Sequence, residues 1–163
     1  MEPIPSQSSD LPSISSLLNQ HTLRARLLVS GYDQAIERVG ELLVDAGYTE
    51  PGYTQAMKRV LKEMGPYAVI APGIALMHAR PEDGVIKPCF ALVTLSEPVA
   101  FGHSTNDPVD LVLAFGAVDK QAHIEALQQL AQLLSDPAAL QSIRSAPDDE
   151  TLLGVIQAWH PPE

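Results

Sequence analysis

The spacing of apolar positions changes period twice along the chain, dividing it into helices, strands and helices again. Over residues 33–47, Ile36, Val39, Leu42, Leu43 and Ala46 recur at three- and four-residue intervals, which is the mark of one face of an α-helix. Asp33 stands at its start as a candidate N-cap. A second helix is predicted over 51–64, with Ala56, Met57, Val60, Leu61 and Met64 on one face and Lys58, Arg59, Lys62 and Glu63 on a solvated one. Then the period shortens. Residues 22–29, 67–70, 73–77, 88–95 and 109–118 are apolar runs of strand length, and the last is continuous enough to predict cover on both faces. Pro72-Gly73 splits two of these runs as a turn, since proline presets φ and glycine tolerates φ > 0. Residues 96–108, with Gly102, Asn106, Asp107 and Pro108, are expected to loop out.

Helical spacing returns over 120–134, with Asp119 as N-cap and Ile124, Leu127, Leu130, Ala131 and Leu134 as the stripe. Asp136-Pro137 opens a further helix to residue 144, and 148–159 makes the last, with Leu152, Leu153, Val155, Ile156 and Trp159 on its apolar side. A short helix is also expected at 13–20, with Leu17 and Leu18 inward. This order predicts an α/β sandwich, a central mixed β-sheet flanked by helices. A chain of 163 residues suits one domain with a sizeable core, because a domain of about 150 residues buries close to 70% of its unfolded surface. Residues 1–10 read as a flexible N-terminal tail and 11–163 as a single domain.

Charge narrows the partners. Twenty acidic residues against ten basic give a formal net charge of −10 and a pI near 4.8, which disfavours nucleic acid and anionic membrane and suits a basic protein partner. No apolar run reaches the length of a membrane span, and residues 1–11 lack the regions of a signal peptide, so the expected location is cytoplasmic. Cys89 is the only cysteine, which excludes an internal disulfide, and its place inside a strand-like run predicts a buried, inert thiol.

The candidate chemistry is concentrated in 65–84, where apolar sequence delivers His78 at a strand end with Arg80 two residues on. One reading is an ordinary half-buried histidine whose ring nitrogens are satisfied by backbone. The other is a nucleophile. Neutral imidazole has an unperturbed pKa of about 6.5, and a ring nitrogen that takes up a phosphoryl group can hand it on. Spacing does not decide between them. His103, in the expected loop, is either a surface histidine with local hydrogen bonds or a site residue beside His78. His123 falls in the first turn of the 120–134 helix, at the positive end of a helix dipole, where a phosphate could be met or a helix edge merely filled.

Gly-Ile-Ala-Leu-Met-His at 73–78 resembles the Gly-Ile-Ala-x-Pro-His motif of the IIA components of the bacterial sugar phosphotransferase system (PTS), in the mannitol/fructose (type 2) superfamily. The stretch ending His-Ala-Arg-Pro-Glu-Asp-Gly at 78–84 is similar to the ascorbate-type branch. So are Phe101-Gly102-His103 with Asn106-Asp107-Pro108-Val109-Asp110, and 119–130 with its His123. The likeness runs over 22–159. Met77 departs from it, standing where the family has proline, which loosens the turn into His78.

The resemblance implies an EIIA type-2 domain that acts as a phosphotransferase through a phosphohistidine intermediate. His78 would accept the phosphoryl group on Nε2 from the phosphocarrier HPr, with phosphoenolpyruvate as the remote source, and pass it to a cysteine on a IIB component and through it to a membrane IIC component. His123 would be the second catalytic histidine. Beside it, Arg80 is a candidate to offset part of the phosphoryl charge or else a surface partner of Glu82 or Asp83, and His103 is a candidate to support the phosphate. No cofactor and no metal are implied, and the cargo would be ascorbate or a related sugar acid or pentitol. A homodimer stays open. Cys89 does not suit the phosphoryl-accepting role of a IIB cysteine, because no glycine and hydroxyl cluster follows it. Two rivals are a nitrogen-type regulatory IIA protein and a metal hydrolase using His78, His103 and His123, the latter without any His-x-x-x-His pair.

Overall fold

Strand alternation sorts the apolar residues onto two faces of one five-stranded sheet. The computed structural model describes residues 17–159, so the expected tail at 1–10 and the first half of the helix expected at 13–20 lie outside the described residues. The described elements are β1 (Leu23–Leu27), α1 (Tyr32–Asp45), α2 (Pro51–Met64), β2 (Val69–Ala71), β3 (Ile74–Met77), β4 (Cys89–Val99), β5 (Val109–Gly116), α3 (Lys120–Leu134), α4 (Pro137–Ser145) and α5 (Asp149–Ala158). Strand order is β1-β4-β5-β3-β2. β1 pairs with β4 and β3 with β5 in parallel, while β4–β5 and β2–β3 are antiparallel, which makes the sheet mixed as expected.

Because successive side chains point to opposite faces, β5 sends Leu111, Leu113 and Phe115 one way and Val112 and Ala114 the other. The first set, joined by Ile74, Leu76, Phe90 and Leu92, packs under Ala126, Leu130, Leu133, Ile143, Leu152 and Ile156 of α3, α4 and α5. The second set, joined by Ala75, Met77, Ala91 and Val93, packs under Ile36, Val39, Leu43, Tyr53, Met57 and Leu61 of α1 and α2. Every residue of β5 but Asp110 is buried, as its continuous apolar run predicts. Asp119, Asp136 and Asp148 cap α3, α4 and α5 by accepting the amides of Ala122, Ala139 and Thr151 at 2.8, 3.1 and 2.7 Å.

Four local expectations change. Asp33 is not the cap of α1. The helix starts one residue earlier, after Gly31, and Asp33 and Glu37 instead reach across to Lys58 on α2. β4 runs on to Val99, with Val99 opposite Val109, although 96–98 were expected to loop out. Ser96, Glu97 and Pro98 are exposed there, so backbone pairing continues where side-chain burial has stopped, and an apolar pattern reports only the burial. On α3, Ala126, Leu130 and Leu133 carry the burial while Ile124 and Leu127 are exposed. Met64, at the end of α2, is 60% exposed rather than inward.

Candidate active site

β3 carries Ile74 and Leu76 toward the α3–α5 face, and the same alternation sends His78, the first residue after the strand, to that side. The ring stacks on Phe115 with centroids 4.9 Å apart and planes at 27°. Phe115 stacks in turn on Phe90 at 5.7 Å. The Nδ1 corner of the imidazole is buried, yet the residue as a whole is only half-buried. It lines two surface clefts. One of about 210 Å³ is mostly apolar, with Val60, Met64, Tyr67 and Ile70 in its walls. The other, of about 540 Å³, adds Arg59 and Arg80. Tyr67 is 80% exposed and Ile70 46%, so the rim around the imidazole is apolar as well as open.

Tyr53, wholly buried on α2, holds the chain at this point. Its phenol donates to the carbonyl of Phe115 at 2.7 Å and accepts the amide of Ala79 at 2.9 Å. One hydroxyl thereby ties the residue after His78 to the end of β5. Burial pushes the phenol's pKa well above its ordinary value, so it stays protonated and able to donate. Met77 is buried at 1% exposure and paired with Ala114, so the loosening expected from the missing proline is met by core packing and by this phenol.

Arg80 opens the short turn Pro81–Asp83. Its side chain is 73% exposed, with Nε 3.6 Å from Asp83 and 3.8 Å from Glu82. Position 123 lies in the first turn of α3, which follows β5 and packs on the sheet face that His78 joins. The parallel strands β3 and β5 thus bring positions 78 and 123 to one edge of the sheet, the carboxyl edge.

His103 is not brought there. Its loop sits at the other end of β3, where the amide of Gly73 donates to the carbonyl of Asn106 at 2.9 Å and the amide of Asp110 to the carbonyl of Gly73 at 3.0 Å. Four strand residues separate the two ends, a span of about 13 Å. There Nδ1 of His103 accepts the amides of Thr105 and Asn106 at 3.1 and 3.0 Å, which is the local, structural alternative read from the sequence. Separation of His103 from His78 also leaves the three-histidine metal hydrolase without its ligand set. Cys89 is 1% exposed, and burial pushes its thiol up to about 12, which is the inert behaviour expected of it.

Sequence reasoning missed Tyr53, Phe115 and Arg59. Tyr53 could have been found, because it stands three and four residues before Ala56 and Met57 and so shares their buried face.

The fold and this edge define a class: a mixed-sheet α/β sandwich presenting a half-buried histidine where its parallel strands end. Residues 16–159 match the family described as phosphoenolpyruvate-dependent sugar phosphotransferase system, EIIA 2. The "Ascorbate-specific PTS system EIIA component" of Salmonella choleraesuis is 38% identical over 142 residues, which are 86% of this chain and 92% of the relative. Among solved structures, the mannitol-specific cryptic phosphotransferase enzyme IIA CmtB of Escherichia coli superposes with a TM-score of 0.81 at 29% identity, covering 91% of this chain and all of that one. The Escherichia coli enzyme IIAMtl, solved in complex with phosphorylated enzyme IIBMtl, shares the fold with a TM-score of 0.74 at 24% identity, covering 88% of this chain and all of that one. The chain belongs to the EIIA type 2 family of the sugar phosphotransferase system, and it is a phosphotransferase component of such a system.

Proposed function

We propose that His78 is the phosphoryl acceptor and donor of this component. Nε2 of the neutral imidazole attacks the phosphorus of a phosphohistidine on the carrier HPr, so a P–N bond forms on His78 as the carrier's P–N bond breaks. In the second step that bond breaks in turn as a cysteine thiolate of a IIB component takes the phosphoryl group. The observation that carries this reading is the tilt of the ring: Nδ1 is buried beside Phe115 while the residue still opens onto two clefts. Stacking on Phe115 holds the ring in one orientation at the mouth of both clefts, and the motif's resemblance gives Nε2 as the reacting nitrogen. Most of the catalytic effect is then positioning and charge stabilisation.

Arg80 offsets part of the charge of about −1.5 to −2 that phosphorylation adds. His123, at the same edge, supports the phosphoryl oxygens or the ring. The apolar rim of Met64, Tyr67 and Ile70 suits the docking of one protein partner at a time. Ascorbate is the cargo this reading favours, on the 38% identity to an ascorbate-specific component, and transport is favoured over signalling for the same reason. The IIB partner is supported by the family and by the related fold solved with phosphorylated IIBMtl. Such a component works in the cytoplasm, and among the described residues no helix is long and apolar enough to cross a membrane.

The test is incubation with phosphoenolpyruvate, the general phosphotransfer enzymes and HPr, read by intact mass. Wild type is expected to gain one phosphoryl group and His78→Ala none. His123→Ala is expected to gain it more slowly, by about 100- to 1,000-fold if it donates to the transferring group. Labelling of His78→Ala at the wild-type level would end the proposal.

A further inference from the structure

The apolar stripe of α2 outruns the core at its last residue. Met64 closes the helix, the chain turns away at Gly65 with φ +81°, and the thioether is left 60% exposed. The other described methionines are sealed: Met57, earlier on the same helix, is 0% exposed, and Met77, beside His78 in sequence, is 1%. Cys89 is buried as well, so Met64 is the one sulfur-bearing side chain among the described residues that is open to solvent. The same residue borders the reacting histidine. The two clefts beside His78 share only Val60, Met64 and His78 in their walls, which puts the thioether and the imidazole on the surface common to both.

A thioether is polarizable and readily gives up two electrons, and its sulfoxide is polar and chiral, so oxidation turns an apolar contact into a hydrogen-bond acceptor. We infer that Met64 is a modification site for hydroperoxides and that its sulfoxide impedes phosphoryl transfer between His78 and its protein partners. The inference rests on His78 being the acceptor. With hydrogen peroxide, a sulfur lone pair attacks one peroxide oxygen, an S–O bond forms as the O–O bond breaks, and the proton on the transferred oxygen passes to the departing hydroxide. One sulfoxide and one water result, the sulfur having given two electrons to the peroxide. A docking partner must then bury the sulfoxide oxygen against an apolar rim, which costs free energy unless the partner supplies a donor. Methionine sulfoxide reductases restore the thioether, one enzyme for each epimer.

The experiment treats the full chain with hydrogen peroxide, removes the peroxide with catalase, and measures the rate of phosphoryl uptake from phosphorylated HPr. Tandem mass spectrometry of its peptides locates the added oxygen. Oxygen is expected on Met64 before Met57 or Met77, and uptake by the oxidised protein is expected to be about 3- to 30-fold slower. Incubation with both reductases should return the rate. Met64→Leu conserves the volume and keeps every other methionine, so it is compared with itself, treated against untreated. That ratio should stay near unity whatever the variant's own rate. An unchanged rate once Met64 carries the oxygen, or a loss of the same size in Met64→Leu, overturns the inference while leaving the acceptor role of His78 intact. So does oxidation of Met57 or Met77 ahead of Met64, or a treated protein that has lost its thermal unfolding transition. An untreated wild type that takes up no phosphoryl group overturns both.

Discussion

The phenol of Tyr53 accepts the amide of Ala79 at 2.9 Å and donates to the carbonyl of Phe115 at 2.7 Å, so a helix side chain completes the hydrogen bonding where β3 leaves the sheet. His78 is the neighbour of one of those residues and stacks on the ring of the other. Its position is therefore set by a group 25 residues away in sequence, buried in the opposite layer of the sandwich.

Tyr53→Phe keeps the ring in the core and removes only the hydroxyl. The Phe115 carbonyl and the Ala79 amide then each lose the bond to this phenol, at a cost of about 1–3 kcal/mol. Urea unfolding is expected to show that loss, and phosphoryl uptake should slow through a less well held imidazole. An unchanged uptake rate in a destabilised variant would confine Tyr53 to a structural role.

His103→Ala separates the loop from the site. Nδ1 of His103 accepts two amides, and the carboxylate of Asp107 accepts those of Phe101, Gly102 and His103 at 3.0, 2.7 and 3.1 Å. Loss of the imidazole is expected to cost about 1 kcal/mol, since water replaces part of its bonding at this half-exposed position. Uptake of the phosphoryl group at the wild-type rate is the expected kinetic result, and a loss comparable to that of His78→Ala would return His103 to the site.

Cys89 should resist alkylation in the folded protein. With its thiol raised from 9.0 to about 12 by burial, the native thiolate fraction at pH 8 is about a thousandfold below that of an ordinary cysteine. Iodoacetamide at pH 8 is expected to label the chain only after urea is added. The same shift has a sign for stability. Unfolded chains lose the thiol proton near pH 9 while folded ones retain it to about 12, so this group's contribution falls as pH rises through that window.

Gly73→Ala tests the turn between β2 and β3. Its φ is +77°, and a β-carbon would sit 2.7 Å from Nη2 of Arg144 and 3.0 Å from Oδ1 of Asp110. That guanidinium bonds Asp110 through Nε at 3.1 Å and the carbonyl of Pro72 at 3.0 Å, tying α4 to the turn. Backbone strain alone costs about 1–2 kcal/mol for an L-residue here. Urea unfolding of Gly73→Ala, Arg144→Ala and the double variant is expected to show a double loss smaller than the sum, because the second change removes the clash created by the first.

Local features of the chain were legible because they depend on neighbours in sequence. Asp119 announces α3 by its place before a helical stripe, and Pro51–Met64 emerges with the bounds its periodicity predicts. The continuous apolar run of β5 shows that both its faces are covered, and His78 is legible as the first polar residue beyond a buried strand. The motif around it carries the family likeness. The place of His103 was not legible for a physical reason: a histidine in a loop between two strands has the same one-dimensional neighbourhood at either end of the sheet.

By itself, then, the sequence determined most of the elements and much of their buried faces, the aspartate caps of α3 and α4 and the delivery of an imidazole to a strand end, all of which follow from periodicity and local sterics. Only the tertiary structure decided which residues meet that imidazole. The order β1-β4-β5-β3-β2 sets β5 beside β3 and so places Phe115 under His78 and the start of α3 at the same edge. Packing of α2 against the sheet decided that Tyr53 clamps Ala79 and that Arg59 shares a cleft with Arg80. Contacts across such sequence separations arise from strand order and layer packing, and no local pattern encodes either.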